Sequence, residues 1–170
     1  MKARIGVVVI AALVIVVLAA TGAFVGAHVV GTVRIVGNSM ADTLLDGDIA
    51  LINRLAYVHG GPEFGDVAAF RLESRSGTYV KRVIGLPGDR LSFRDDTLYL
   101  NGTALSEPYT TSATEDFEAD PGDGAYFLMG DNRADSYDSR MADIGSVDKD
   151  DFLGRVCWVL WPLRRFGPVN

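Results

Sequence analysis

From Ile5 to Val33 the chain reads IGVVVIAALVIVVLAATGAFVGAHVVGTV, without a single Asp, Glu, Lys or Arg. About 20 apolar residues suffice to cross the hydrocarbon core of a bilayer as a helix, which satisfies its own backbone polar groups where water cannot. The run exceeds that length. It also exceeds the apolar region of a cleaved secretory leader, about 7 to 15 residues, even when ended at Thr21, Gly22 and Ala23. The pattern therefore predicts an uncleaved anchor helix within residues 1–33, followed by one domain over 34–170. Lys2 and Arg4 precede the run, and flanking positive charge stays in the cytoplasm. A single-pass cell-membrane protein results, with a cytoplasmic N-terminus and an extracytoplasmic main domain. His28, near the outer end of the run, reads as an interfacial side chain.

After Arg34 the texture changes to short segments rich in Val, Ile, Tyr and Phe, punctuated by glycine. Residues 33–37, 48–55, 66–72, 78–86, 90–102, 125–130 and 154–163 read as strands, because none keeps a helical period and all suit a pleated, half-buried surface. The domain is predicted to be mainly β. Gly-Asp recurs at 47, 65, 88, 122 and 130, each time beside an apolar run, as turns between strands require. Calcium ligation is the sharper reading of those aspartates, but their spacing is irregular. The polar, acidic stretch 110–124 reads as an exposed, solvated loop, and so does "DKDD" at 148–151. "VCWVLWPL" is too short for a second crossing; Trp158 and Trp161 suit either a core or a headgroup position.

A formal charge of -6 argues against nucleic acid as a partner, since phosphate binding rests on Lys and Arg. Cys157 is the only cysteine, so no internal disulfide forms, and with no Cys or His cluster near it a packed thiol is expected rather than a zinc ligand.

"VGNSMADTLLDGD", 36–48, sets a hydroxyl at Ser39 where a strand runs into a turn. A serine is a poor nucleophile until a base takes its proton. The two histidines are His28, in the apolar run, and His59, in the turn-like "HGGP", which gives a Ser/His/Asp arrangement little support. Beyond the anchor the lysines are Lys149, in an acidic run, and Lys81, inside the apolar "TYVKRVIGLPGD". Lys81 should share a strand face with Tyr79 and Val83. Near pH 7 only about 4 in 10,000 ordinary lysines are neutral, so a base at this position needs the ammonium disfavoured by roughly 4 to 5 kcal/mol. Burial can supply that if no carboxylate holds the proton. The competing reading is a lysine whose stem packs while its head reaches water.

The stretches "GNSMADTLLDGD", "FGDVAAFR", "YVKRVIGLPGDRL", "YLNGTALSEPY" and "YFLMGDNRADSYDSR" resemble, in this order, the sequence boxes of the bacterial type I signal peptidases. The resemblance runs from about Val36 to "WPLRRFG" and includes the N-terminal anchor. It implies a coiled antiparallel β-sheet ectodomain behind one transmembrane helix, and a Ser/Lys-dyad serine endopeptidase. Ser39 then matches the nucleophile and Lys81 the general base. Ser136 matches a serine that orients the lysine amine, and Met40 a residue shaping the site beside the nucleophile. Asp138 and Arg140 match a charged pair that holds their segment, and Asp131 with Arg133 resembles similar scaffolding. The implied partners are precursors bearing signal peptides with small residues at -1 and -3, and the lipid bilayer. The scheme requires no metal and no cofactor.

Two departures stand out. Asp42 occupies the place of a frequent proline, losing its fixed φ, and its carboxylate is expected to face solvent. Gly37 stands where many members carry a serine that donates to the oxyanion, leaving the Ser39 N–H with a neighbouring amide or water. Three other readings share features of this pattern. A self-cleaving repressor would need a DNA-binding module, which an apolar N-terminus and acidic charge do not supply. A conjugation-type peptidase differs only in substrate, and a membrane-tethered binding protein would keep the fold without cleaving.

Overall fold

The computed structural model describes residues 2–73, 75–110 and 112–170. Helix α1, Lys2–His28, comprises 27 residues. The described apolar side chains along it, from Ile10 through Leu18 to Phe24, are exposed. Among its described side chains no stretch is long and apolar enough to cross a membrane, so the crossing expected over residues 5–33 rests on the sequence. The helix stops short of that run. Val30–Arg34 form strand β1, because Val29, Val30, Thr32 and Val33 are β-branched and prefer the pleat.

The remaining strands are β2 Ile49–Asn53, β3 Val67–Leu72, β4 Arg75–Gly85, β5 Leu91–Arg94, β6 Thr97–Leu100, β7 Thr103–Ala104, β8 Phe117–Ala119, β9 Ala125–Met129, β10 Val147–Asp148, β11 Phe152–Trp161 and β12 Gly167–Pro168. Every pairing is antiparallel. The larger sheet runs β1-β2-β11-β3-β4-β9-β10 with β12 beside β11, and the smaller runs β7-β6-β5-β8. The fold is mainly β, as the sequence predicted.

Two expectations change. Residues 90–102 are not one strand but the hairpin β5–β6, turned at Asp95 and Asp96 with φ of 49° and 58°, the left-handed values that a tight hairpin turn needs and Asp tolerates. The acidic stretch 110–124 is not merely solvated: it contains β8, and Phe117 stacks between Phe93 and Phe127 at 6.0 and 5.8 Å.

Three of the Gly-Asp pairs build the same turn. Asp48, Asp66 and Asp89 donate their N–H to Leu45, Glu63 and Leu86, and their carboxylates accept the N–H of those same residues. The preceding glycines have φ near +85°, as the third position of a type II turn demands. Gly130 differs, as its position beside Ser39 and Ser136 shows below.

The core matters to the site through β4. Val80, Lys81, Arg82, Val83 and Ile84 are all buried, because packed residues cover both faces of the strand: Val80 belongs to the cluster with Met40 and Leu44, Val83 to one with Phe70 and Leu128, Ile84 to one with Leu91 and Phe127. Cys157 is half-buried, its Sγ 3.6 Å from the Leu51 carbonyl. Trp158 is half-buried against Phe166, whereas Trp161 is 54% exposed.

Candidate active site

Ser39 lies in the turn between β1 and β2. Before it, Gly37 has φ of 88° and gives its N–H to Asp46 Oδ1 at 2.8 Å. A side chain there would hold a left-handed backbone at a cost of roughly 1–2 kcal/mol, which explains glycine in place of serine. After it, Met40 and Leu44 are buried and joined by a hydrogen bond from Leu44 N–H to the Met40 carbonyl. Met40 is thus part of the core. Asp42 is exposed.

Lys81 Nζ is 2.6 Å from Ser39 Oγ, and the residue is only 5% exposed. Burial lowers the lysine pKa from 10.5 to about 8; Asp138, Asp131 and Asp135 oppose the shift, and Arg140 assists it. The sequence reading required a neutral pKa with no carboxylate in reach. The structure meets that requirement in part, because Asp138 and Asp131, the carboxylates that oppose the shift most, are paired with Arg140 and Arg82.

Asp138 receives Arg140 Nε and Nη2 at 2.8 Å each, Ser136 Oγ at 2.6 Å and the Gly130 N–H at 3.0 Å. Burial raises its pKa, but the hydrogen bonds from Arg140, Ser136 and Gly130 outweigh that and leave it below the ordinary carboxylate range. Asp138 and Arg140 form the pair that the sequence suggested. Ser136 differs: its hydroxyl is donated to Asp138 rather than to the lysine amine.

Asp131 and Arg133 do not pair with each other. Asp131 is bound by Arg82, Nε to Oδ1 at 2.8 Å and Nη2 to Oδ2 at 2.7 Å, and by the Thr43 hydroxyl at 2.5 Å. Arg133 turns away to Glu107, with contacts of 2.5 and 3.0 Å. The two side chains of this loop thus find their partners on different segments, at Arg82 and Glu107, so adjacency in sequence misleads.

Sequence reasoning missed Arg82, Glu107, Thr43, Asn132 and Gly130. Asn132 donates its N–H to the Ser39 carbonyl at 3.1 Å and its side-chain amide to the Asn38 carbonyl at 3.3 Å, tying the Ser39 turn to the 130–140 loop. Gly130 leaves room for both: a methyl on its Cα would fall 2.2 Å from Ser136 Oγ and 2.3 Å from the Ser39 carbonyl oxygen. The Gly in "GDNR" was a visible signal, read only as a turn.

A groove of about 190 Å³ opens onto Ser39 and Lys81, lined by Val33–Val36 and by Thr78–Lys81. Among the described residues β1 pairs with β2 alone, and β9 pairs with β4 from Arg82 onward. Each wall therefore presents a strand edge without a strand partner. A larger cavity of about 610 Å³ lies beside Thr114–Phe117 and reaches the 130–140 loop at Arg133, Ser136 and Arg140. Such an arrangement suits an extended peptide main chain beside a buried amine and a hydroxyl.

A family model described as "Signal peptidase, peptidase S26" matches residues 5–161. Signal peptidase IB of Staphylococcus aureus (strain N315) is 37% identical over 162 residues, covering 84% of this chain and 83% of that protein. Signal peptidase I U of Bacillus subtilis (strain 168) is 36% identical over 137 residues, covering 74% and 73%. A crystal structure of a signal peptidase I from Enterococcus faecalis V583 is similar with a TM-score of 0.50 and 36% identity, covering 56% of this chain and 96% of that one.

Proposed function

Because this chain belongs to the S26 signal peptidase family, and is thus a serine endopeptidase that removes signal peptides, we propose that Ser39 makes the cut with neutral Lys81 as its base. The single observation that carries the assignment is the 2.6 Å contact between Ser39 Oγ and a buried amine. The Ser39 O–H gives its proton to Nζ while Oγ bonds to the scissile carbonyl carbon. The tetrahedral intermediate collapses, the C–N bond breaks, and the Lys81 ammonium returns the proton to the leaving amine. Water then hydrolyses the Ser39 ester, with the amine again acting as base.

The Ser39 N–H donates to no protein acceptor among the described residues, which supports its use as an oxyanion donor. With Gly37 it has no hydroxyl companion from that position. Ser136 acts on the amine through Asp138, and Arg140 keeps that carboxylate from claiming the lysine proton. A precursor strand laid between the edges of β1 and β4 would send alternate side chains to one wall, so positions -1 and -3 are read together and small residues fit there. Helix α1 is the membrane anchor in this reading. Its exposed apolar side chains and the uncharged run 5–33 support a span, with the β domain on the extracytoplasmic side. Sharing a bilayer with its precursors raises their effective concentration.

The test is cleavage by the full chain in detergent of a precursor with an Ala-x-Ala site, followed from pH 6 to 10. The rate is expected to rise with pH and level off above a midpoint near 8, because only deprotonated Lys81 is active. A flat profile rules out a titrating lysine base. Substituting Gly130→Ala is expected to lower kcat/KM by about 10²-fold, since misplacing reacting groups by 1 Å has that effect. Parental kcat/KM in that variant would refute the close packing of Ser39 and Ser136 around Gly130.

A further inference from the structure

Arg165 lies in the 3-10 turn Leu163–Arg165 that follows β11, far along the chain from Ser39. Its guanidinium returns to the nucleophile turn. Nε donates to Asp48 Oδ2 at 3.0 Å, and Nη2 to the carbonyls of Thr43 at 3.1 Å and Asp42 at 3.4 Å. All three acceptors belong to the segment that leads Ser39 into β2.

Both ends of this clamp are firm. The Arg165 N–H bonds to the Pro162 carbonyl and the Phe166 N–H to that of Leu163, and β12 then pairs with β11. Asp48 is 1% exposed and also accepts the Leu45 N–H at 2.9 Å, so its buried charge depends on the arginine cation. Thr43 is held from two sides, its carbonyl by Arg165 and its hydroxyl by Asp131. Asp131 in turn is bound by Arg82, the residue after Lys81. One polar chain thus joins the C-terminal segment, the nucleophile turn and the strand of the base.

We propose that Arg165 is a positioning residue for the nucleophile: by clamping Asp42, Thr43 and Asp48 it holds the turn that sets Ser39 against Lys81. The proposal rests on Ser39 and Lys81 being the reacting pair. The Arg165 side chain's hydrogen bonds go to residues 42, 43 and 48 and to none of the groove-lining residues 33–36 and 78–81, so its effect belongs first on turnover rather than on binding.

The test uses the full chain in detergent, with Arg165→Ala and Arg165→Lys variants. Arg165→Ala is expected to lower kcat by 10- to 100-fold while KM stays within about threefold, on the scale that slight misplacement produces. The pH midpoint should move upward as the loosened turn admits water to the amine. The charged groups around that amine, Asp131, Asp135, Asp138 and Arg140, are not substituted. Arg165→Lys should recover part of kcat, since an ammonium can reach Asp48 but cannot fork to both carbonyls. Parental kcat in either variant overturns the proposal. So does a loss that tracks the unfolded fraction with KM and midpoint unmoved. Should Arg165→Ala not fold, the lysine variant decides by the same split. A silent parent would instead refute the Ser39–Lys81 reading, and amide exchange over residues 42–48, faster in the variants if Arg165 pins them, would still judge the clamp.

Discussion

Replacing Lys81 by methionine is expected to abolish cleavage and, at the same time, to raise the stability of the protein at pH 7. The loss of rate should be about 10⁴-fold or more, the scale seen when a member of a catalytic unit is removed. The gain in stability follows from the same burial. With a folded pKa of about 8 against an ordinary 10.5, the unfolded chain holds a proton that the folded chain has released between those two values. Stability therefore rises with pH across that window, and below pH 8 the penalty stands in full. A difference of this size is on the order of 3 kcal/mol. Methionine keeps the length of the side chain without the charge. Thermal unfolding by circular dichroism should place Lys81→Met several degrees above the parent at pH 7, with the gap closing near pH 10.5. Ser39→Ala should lose cleavage without that gain. A Lys81→Met protein that retains more than about 1% of the parental rate would remove Lys81 from the mechanism.

Arg82→Ala is expected to be the most damaging substitution for stability. Asp131 is 0% exposed, and the arginine supplies both of its charged contacts. The guanidinium also lies 4.0 Å from the Tyr109 ring centre and donates to the Gly65 carbonyl. Removing one member of a buried ion pair typically costs about 3–5 kcal/mol, because the partner charge is left without compensation. The orphaned carboxylate would also strengthen its hold on the Lys81 proton, moving the pH midpoint of cleavage upward. Denaturant unfolding and the pH profile measure the two effects separately. Replacing Arg82 and Asp131 together with leucine should recover part of the stability and none of the turn's anchoring to Thr43. An Arg82→Ala protein as stable as the parent would show that Asp131 finds another partner.

The site was legible in sequence wherever its chemistry is local. Ser39 stands out at the end of a strand, and Lys81 stands out as a charge in an apolar run; burial of β4 on both faces turns that oddity into a lowered pKa. Asp138 and Arg140 sit two positions apart and do pair. What escaped depends on contacts that spacing does not encode. Arg82 meets Asp131 across 49 positions and Arg133 meets Glu107 across 26. The strand at 117–119 was hidden because its single aromatic, Phe117, is surrounded by acids, and the hairpin at 95–96 because Asp-Asp is a weaker turn signal than Asn-Gly. The register of the larger sheet, which brings β11 between β2 and β3, has no local signature at all.

The joint between α1 and β1 is short. A single residue, Val29, separates helix from first strand, and its carbonyl is fixed by the Arg54 N–H at 2.9 Å. The joint has no slack. From there to Ser39 the backbone can extend no more than about 35 Å, so under the anchoring proposed for α1 the hydroxyl would stay within that reach of the lipid surface. On that proposal the enzyme would act as a ruler: a leader whose apolar core is too long or too short would present its small residues outside that reach and escape, however well they would fit.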